Sequence, residues 1–154
     1  MVERLEIVWT LAVVGLITGV AVYSTILLYH IDALAPHPNE YVDVTGHQWY
    51  WQFYYPENHT SYNSTYDLQN NTVSGGELWA QPGWVVQLNI TSTDVDHSFN
   101  IPQLGIRLDA IPGRMNYIDV NIPSSAAKGT LYLIQCTEYC GTFHGSMRSF
   151  LEVT

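Results

Sequence analysis

From Ile7 to Tyr29 the chain runs 23 residues without a charge. As an α-helix rising about 1.5 Å per residue, such a run spans roughly 35 Å, enough to cross a bilayer with some tilt. Trp9 near one end and Tyr23 and Tyr29 near the other suit the two interfacial belts, while Arg4 is the one basic residue ahead of the run, so loop charge hardly signals orientation. Ala33-Leu34-Ala35 has the small-x-small form of a signal-peptidase site. The apolar run, however, exceeds the roughly 7–15 residues of a signal sequence and lacks a basic lead-in, so a retained anchor is the preferred reading. Either way the remainder is exported. Gly15-x-x-x-Gly19 is a spacing that lets a neighbouring membrane helix pack closely.

The 154 residues leave room for one further domain. Residues 1–35 read as a membrane anchor and residues 36–154 as the exported domain, with Pro36-His37-Pro38-Asn39 as the linker between them, since it cannot continue a helix. Beyond residue 30 there are twelve acidic and four basic residues. That surface repels nucleic acid and anionic lipid and attracts a basic partner. Asn58-His-Thr60, Asn63-Ser-Thr65, Asn70-Asn-Thr72 and Asn89-Ile-Thr91 are glycosylation sequons, as an exported surface allows.

From Tyr41 onward, short runs rich in Val, Ile, Thr, Tyr and Trp alternate with Gly, Pro and Asn clusters, the pattern of an all-β sandwich or barrel. The expected strands are 41–44, 46–55, 77–80, 84–92, 97–101, 108–111, 114–121, 129–135 and 147–153. Val86, Leu88 and Ile90 alternate with Gln87 and Asn89, as a half-buried strand requires. Pro56 to Gly76 is polar and rich in Asn, Ser and Tyr, and reads as an exposed excursion.

Cys136-Thr-Glu-Tyr-Cys140-Gly-Thr-Phe-His144-Gly-Ser-Met147 gathers two thiols, an imidazole and a thioether in twelve residues. Soft sulfur donors favour copper, whereas magnesium and calcium want oxygen. Structural zinc loops usually pair two Cys-x2-Cys units, and methionine is not a usual zinc ligand. A single-copper blue site needs one cysteine and two histidines; two cysteines at this spacing can bridge two ions, each needing a histidine. His144 is one, and His97 in Asp94-Val-Asp-His-Ser-Phe99 is the best placed other, ahead of His30, His37, His47 and His59. On spacing alone a Cys136–Cys140 disulfide stapling an exported binding module stays open as an alternative, as does a single-copper protein.

Four segments together resemble subunit II of haem-copper cytochrome c oxidases. They are Gly46-His-Gln-Trp-Tyr-Trp-Gln-Phe53, Asp94-Val-Asp-His-Ser-Phe99, Asp109-Ala-Ile-Pro-Gly-Arg114 and Cys136-x-Glu-x-Cys-Gly-x-x-His-x-x-Met147, in the family's order. The resemblance implies a cupredoxin-like Greek-key β-barrel behind one transmembrane helix. It implies a binuclear CuA centre of two copper ions ligated by His97, Cys136, Cys140, His144, Met147 and the backbone carbonyl of Glu138. The Glu138 side chain would face the catalytic subunit, where it can bind magnesium or manganese; some relatives have Gln there and lack that metal. Asp109 and Arg114 would lie near the same subunit interface.

Trp49 falls where the family takes electrons in from its donor. By periodicity alone Trp49, Trp51, Phe53 and Tyr55 form one stripe, which usually means core. The family resemblance assigns electron transfer to Trp49 and packing to the others. The expected function is acceptance of electrons from a soluble donor, a basic cytochrome c or a small blue copper protein, and their delivery to haem in subunit I, where oxygen is reduced. The expected location is the cell or inner membrane, single-pass, with the C-terminal domain on the exterior or periplasmic side. Many relatives carry two membrane helices; this sequence has one hydrophobic span.

Overall fold

The computed structural model describes residues 2–31, 33–67, 70, 72, 73 and 78–154. The uncharged run lies within one α-helix, α1 (Val2–Ile31), whose apolar side chains are almost all exposed, as a helix solvated by lipid requires. The chain divides into two units, residues 1–33 and 34–154.

The second unit is a β-sandwich. One sheet holds β1 (Glu40–His47), β2 (Tyr50–Tyr55), β3 (Thr60–Asn63), β7 (Val85–Ser92) and β10 (Asn116–Asn121) in the order β10-β7-β1-β2-β3. The other holds β6 (Leu78–Ala80), β8 (His97–Ile101), β9 (Ile106–Ala110), β11 (Leu131–Cys136) and β12 (Arg148–Val153) in the order β6-β12-β11-β8-β9. A separate small ladder pairs β4 (Tyr66–Asp67) with β5 (Thr72–Val73). The β1·β7 and β6·β12 pairs are parallel, and the other ladders are antiparallel. This is the expected cupredoxin-like architecture.

Period-two alternation sends Val42 and Val44 of β1, Trp51, Phe53 and Tyr55 of β2, and Leu88 and Ile90 of β7 into one core with Phe99, Ile101, Ile134 and Leu151 of the facing sheet. All are essentially inaccessible, and each buried aliphatic or Phe side chain contributes about 1.5–3 kcal/mol. The start of the second unit, just ahead of the linker, is tied to the same sandwich, because the Ala35 N–H donates to the Asp119 carboxylate of β10.

Two expectations need correction. Residues 46–55 are not one strand: the chain reverses at Gln48–Trp49, and β1 and β2 pair antiparallel with His47 opposite Tyr50. The Pro56–Gly76 excursion, whose end at Gly76 lies outside the described residues, contains β3, which forms the outer strand of the first sheet, and the β4–β5 ladder. The expected strand 77–80 is found from Leu78, Glu77 lying outside the described residues.

Candidate metal centre

The loop 136–147 joins β11 to β12, whose register brings Gln135 opposite Arg148. Its neck is closed by the Cys136 N–H, which donates to the Met147 carbonyl at 3.1 Å, so the first and last candidate ligands face each other. A short 3-10 turn over His144–Ser146 carries the imidazole back inward, held by the His144 N–H to Gly141 O at 3.1 Å. His97 enters from the next strand: β8 pairs with β11 through Cys136 opposite Phe99, and the Thr137 N–H donates to Ser98 O at 2.9 Å. Alternation turns His97 and Cys136 toward the interior, where both are buried along with Cys140 and Met147.

The donor atoms converge. Cys136 Sγ lies 3.8 Å from His97 Nδ1, 3.3 Å from the Glu138 carbonyl and 3.9 Å from Cys140 Sγ. Cys140 Sγ lies 3.4 Å from His144 Nδ1 and 3.9 Å from Met147 Sδ. Two donors at metal–ligand distances of about 2.0–2.3 Å around one tetrahedral ion stand roughly 3.3–3.8 Å apart, so these separations suit donors that share an ion. The sulfurs are unbonded thiols, each with its own imidazole nitrogen. Two thiols, two imidazoles and a thioether are a copper donor set by their chemistry.

Electrostatics differ at the two thiols. Burial opposes ionisation at Cys136, but hydrogen bonds from His97 and the backbone outweigh it and bring the thiol down to about 7. At Cys140 burial, joined by the negative charge of Cys136, pushes the thiol up to about 12. For both to be thiolates, positive charge would have to lie between them, as a bound metal ion would supply.

His97 Nε2 is 2.9 Å from Asp94 Oδ1. Burial disfavours the Asp94 carboxylate, yet His97 and the backbone N–H groups of Val95 and Gln48 hold it down to about 2. Burial likewise disfavours the His97 imidazolium, but its bonds to Cys136 and Asp94 raise its pKa. A carboxylate on the far nitrogen fixes which imidazole nitrogen faces the sulfurs.

The model of the cytochrome c oxidase subunit II periplasmic domain matches residues 41–154. The chain belongs to that family. It is 32% identical over 159 residues to cytochrome c oxidase subunit 2 of Apis mellifera ligustica, covering 99% of this chain and 68% of that one. It is also 32% identical over 158 residues to a probable cytochrome c oxidase subunit 2 of Rickettsia bellii, covering 97% of this chain and 57% of that longer protein. The crystal structure of the periplasmic domain of subunit II of cytochrome oxidase from Bradyrhizobium japonicum superposes with a TM-score of 0.69 at 29% identity, covering 79% of this chain and 88% of that one.

As a subunit II, the chain places its remaining signature residues as follows. Trp49 is half-buried in the β1–β2 turn, outside the core stripe formed by Trp51, Phe53 and Tyr55. Its indole N–H donates to Cys140 O at 3.0 Å, and its ring meets Phe143 edge-on at 4.9 Å. The Glu138 carbonyl points to Cys136 Sγ and its side chain is exposed. Asp109 and Arg114 are exposed on and after β9, and among the described residues neither enters an ion pair; the Asp109 backbone carbonyl accepts from Asn116 Nδ2 at 2.7 Å.

Three residues of the site were quoted in the motifs but not singled out. Asp94 orients His97. Gln48 links both ligand segments: its N–H donates to Asp94 Oδ2 at 2.7 Å and its side chain to Cys140 O at 2.7 Å. Gly46 leaves space for the His97 ring. An Asp three residues before a ligand His was the one available signal; the other two contacts span the sheet.

Proposed function

We propose that this chain is the subunit through which a haem-copper oxygen reductase takes in electrons, with two coppers held by His97, Cys136, Cys140, His144, Met147 and the Glu138 carbonyl. The observation that carries this reading is the pairing of each thiol with its own imidazole nitrogen, at 3.8 and 3.4 Å, across a 3.9 Å sulfur–sulfur gap. The copper pair supplies a one-electron acceptor whose charge is spread over two ions.

The protein's part is to hold the donors still and to bring the donor's electron close. Ligands on β8 and on the β11–β12 loop are locked by backbone bonds, so their positions change little between charge states. Trp49 receives electrons at the surface and is joined to the centre by one hydrogen bond and the covalent frame of Cys140. A shallow groove of about 370 Å³ beside it, lined by Trp49, Tyr50, Asn63, Thr65, Phe143 and Ser146, gives the donor an apolar place to dock. The net charge of −9 favours a basic donor, a cytochrome c or a small blue copper protein. Electrons then pass to haem in subunit I. The exposed Glu138 carboxylate supplies an oxygen ligand for magnesium or manganese at that boundary, and Asp109 and Arg114 belong to the same interface. Residues 1–35 anchor the chain singly in the cell or inner membrane, with residues 36–154 on the exterior or periplasmic side.

Copper analysis with electron paramagnetic resonance on the full-length chain tests the proposal. The expected result is two coppers per chain and a hyperfine pattern from one electron shared by two nuclei. A single-nucleus pattern, or copper-free protein with no titratable thiols, overturns it.

A further inference from the structure

We infer that Asn58, in the turn that leads into the outer strand β3, is an N-glycan attachment site, and that Asn89, in the same sequence motif, is not. The inference rests on the exported placement of the domain and on nothing in the copper site.

Four sequons are present, and the fold treats them differently. Asn58 is exposed in the turn between β2 and β3. Its Oδ1 accepts from both the Thr60 N–H and the Thr60 hydroxyl, so the motif is already closed on itself through the amide oxygen. Asn63, the last residue of β3, is also exposed, but it lines the groove beside Trp49 in which the donor docks, where a glycan would obstruct electron entry, so no glycan is assigned to it. At Asn58 the group engaged is the oxygen, whereas glycosylation needs the nitrogen. Asn89 is the reverse case. It lies on β7, between β1 and β10, and its Nδ2 donates to Asp43 Oδ1 at 2.7 Å. Its motif partner Thr91 turns its hydroxyl to Ile111 O at 3.4 Å. A glycan there would have to break a part-buried bond between strands. Asn70 gives its Nδ2 to Asp67 at 2.7 Å, and Asn71 within its motif lies outside the described residues, so no assignment is made for it.

In the reaction, Nδ2 attacks the anomeric carbon of a sugar carried on a polyprenyl phosphate. The new N–C bond forms as the bond from that carbon to the phosphate oxygen breaks. The lipid phosphate leaves with the electron pair, and one amide proton passes to a base of the transferase. No electrons are lost or gained overall.

The placement also answers a physical need. β3 is an edge strand, with Ser61, Tyr62 and Asn63 exposed and no Lys, Arg or Pro in it to deter pairing with another chain. Only 12% of the residues are charged, against about 25% in ordinary soluble domains, so charge repulsion protects it little. A bulky hydrated glycan on Asn58, at the head of the strand, does that work.

The test is peptide mass spectrometry on the full-length chain purified from the membranes of the organism that makes it, alongside a Thr60→Val variant expressed there. A saccharide mass is expected on Asn58, with the Asn89 peptide bare, and the variant should lose it. An unmodified Asn58, a glycan on Asn89, or a saccharide on Asn58 that survives the Thr60 change overturns the inference. The copper spectrum of the same samples reports folding and the redox proposal independently, because none of these residues is a copper donor.

Discussion

Gly46→Ala should damage the copper site without touching a ligand. Gly46 lies on β1, paired with Trp51 of β2 and Ser92 of β7. A Cβ added there would sit 2.8 Å from His97 Cδ2, 3.2 Å from His97 Cγ and 3.3 Å from Trp51 Cζ3. Carbon atoms rest at about 3.5–4.0 Å, so the closest approach falls short by about 0.7 Å. Neither neighbour can give way freely. His97 is held by Asp94 at 2.9 Å, and Trp51 is fully buried against Phe99, with ring centroids 5.1 Å apart. If the sheet absorbs the clash, overpacking of this kind costs about 1–3 kcal/mol. If the imidazole swings instead, the bond to Asp94 breaks and Nδ1 turns from Cys136; perturbing such supports weakens metal binding about 10–100-fold. Urea unfolding followed by tryptophan fluorescence reads the first outcome, and copper titration the second. A Gly46→Ala chain within about 0.5 kcal/mol of the parent and with unchanged copper affinity would refute the crowding argument.

Cys140→Ser should leave no binuclear centre, because an alcohol neither ionises nor bridges as a thiolate does; a normal two-copper resonance spectrum in this variant would sink the ligand assignment. Met147→Leu keeps the core volume, so copper content should persist while loss of the weak thioether donor shifts the midpoint potential, measured by redox titration. Gln48→Ala removes one bond to Cys140 O but keeps the backbone bond to Asp94, costing about 1 kcal/mol; reduction by a soluble donor in stopped flow should slow at unchanged copper content. Burial, with repulsion from Glu57, raises the Glu40 pKa, so the folded state binds this proton more tightly than the unfolded chain and Glu40 costs stability as pH rises through and beyond 4.5. Glu40→Gln should therefore stabilise the domain at pH 7 and do little at pH 3, and equal shifts in the urea midpoint at both would contradict this.

Legibility in the sequence followed the range of the interactions involved. The membrane-length helix was visible because length and absence of charge suffice, and β7 because Val86, Leu88 and Ile90 alternate in one uninterrupted ladder. The reversal at Gln48–Trp49 was hidden because the aromatic alternation runs on either side of it and neither residue is a turn former. What holds that turn is tertiary: Gln48 bonds to Asp94 and Cys140, 46 and 92 residues away. The strand β3 was read as loop for a related reason, since an outer strand with three exposed residues shows no buried face to alternate. The ligand loop was readable because its donors are contiguous, but His97 reaches it only through sheet pairing, which no local pattern announces.

The turn that escaped the periodicity argument is the part that unites the site. Through Gln48 it is bonded to the carboxylate behind His97 and to the carbonyl of Cys140, and through Trp49 to that same carbonyl. Gly141 keeps this approach open: its φ of +117° is one L side chains rarely adopt, and a Cβ there would come within 3.2 Å of Gln48 Nε2 and the Trp49 ring. On the proposed function, a donor docked at Trp49 meets a turn already bonded to the segments that carry His97 and Cys140. The proposed electron entry and the positioning of the candidate ligands share one hydrogen-bonded turn, and a substitution in it should be read by its effect on both.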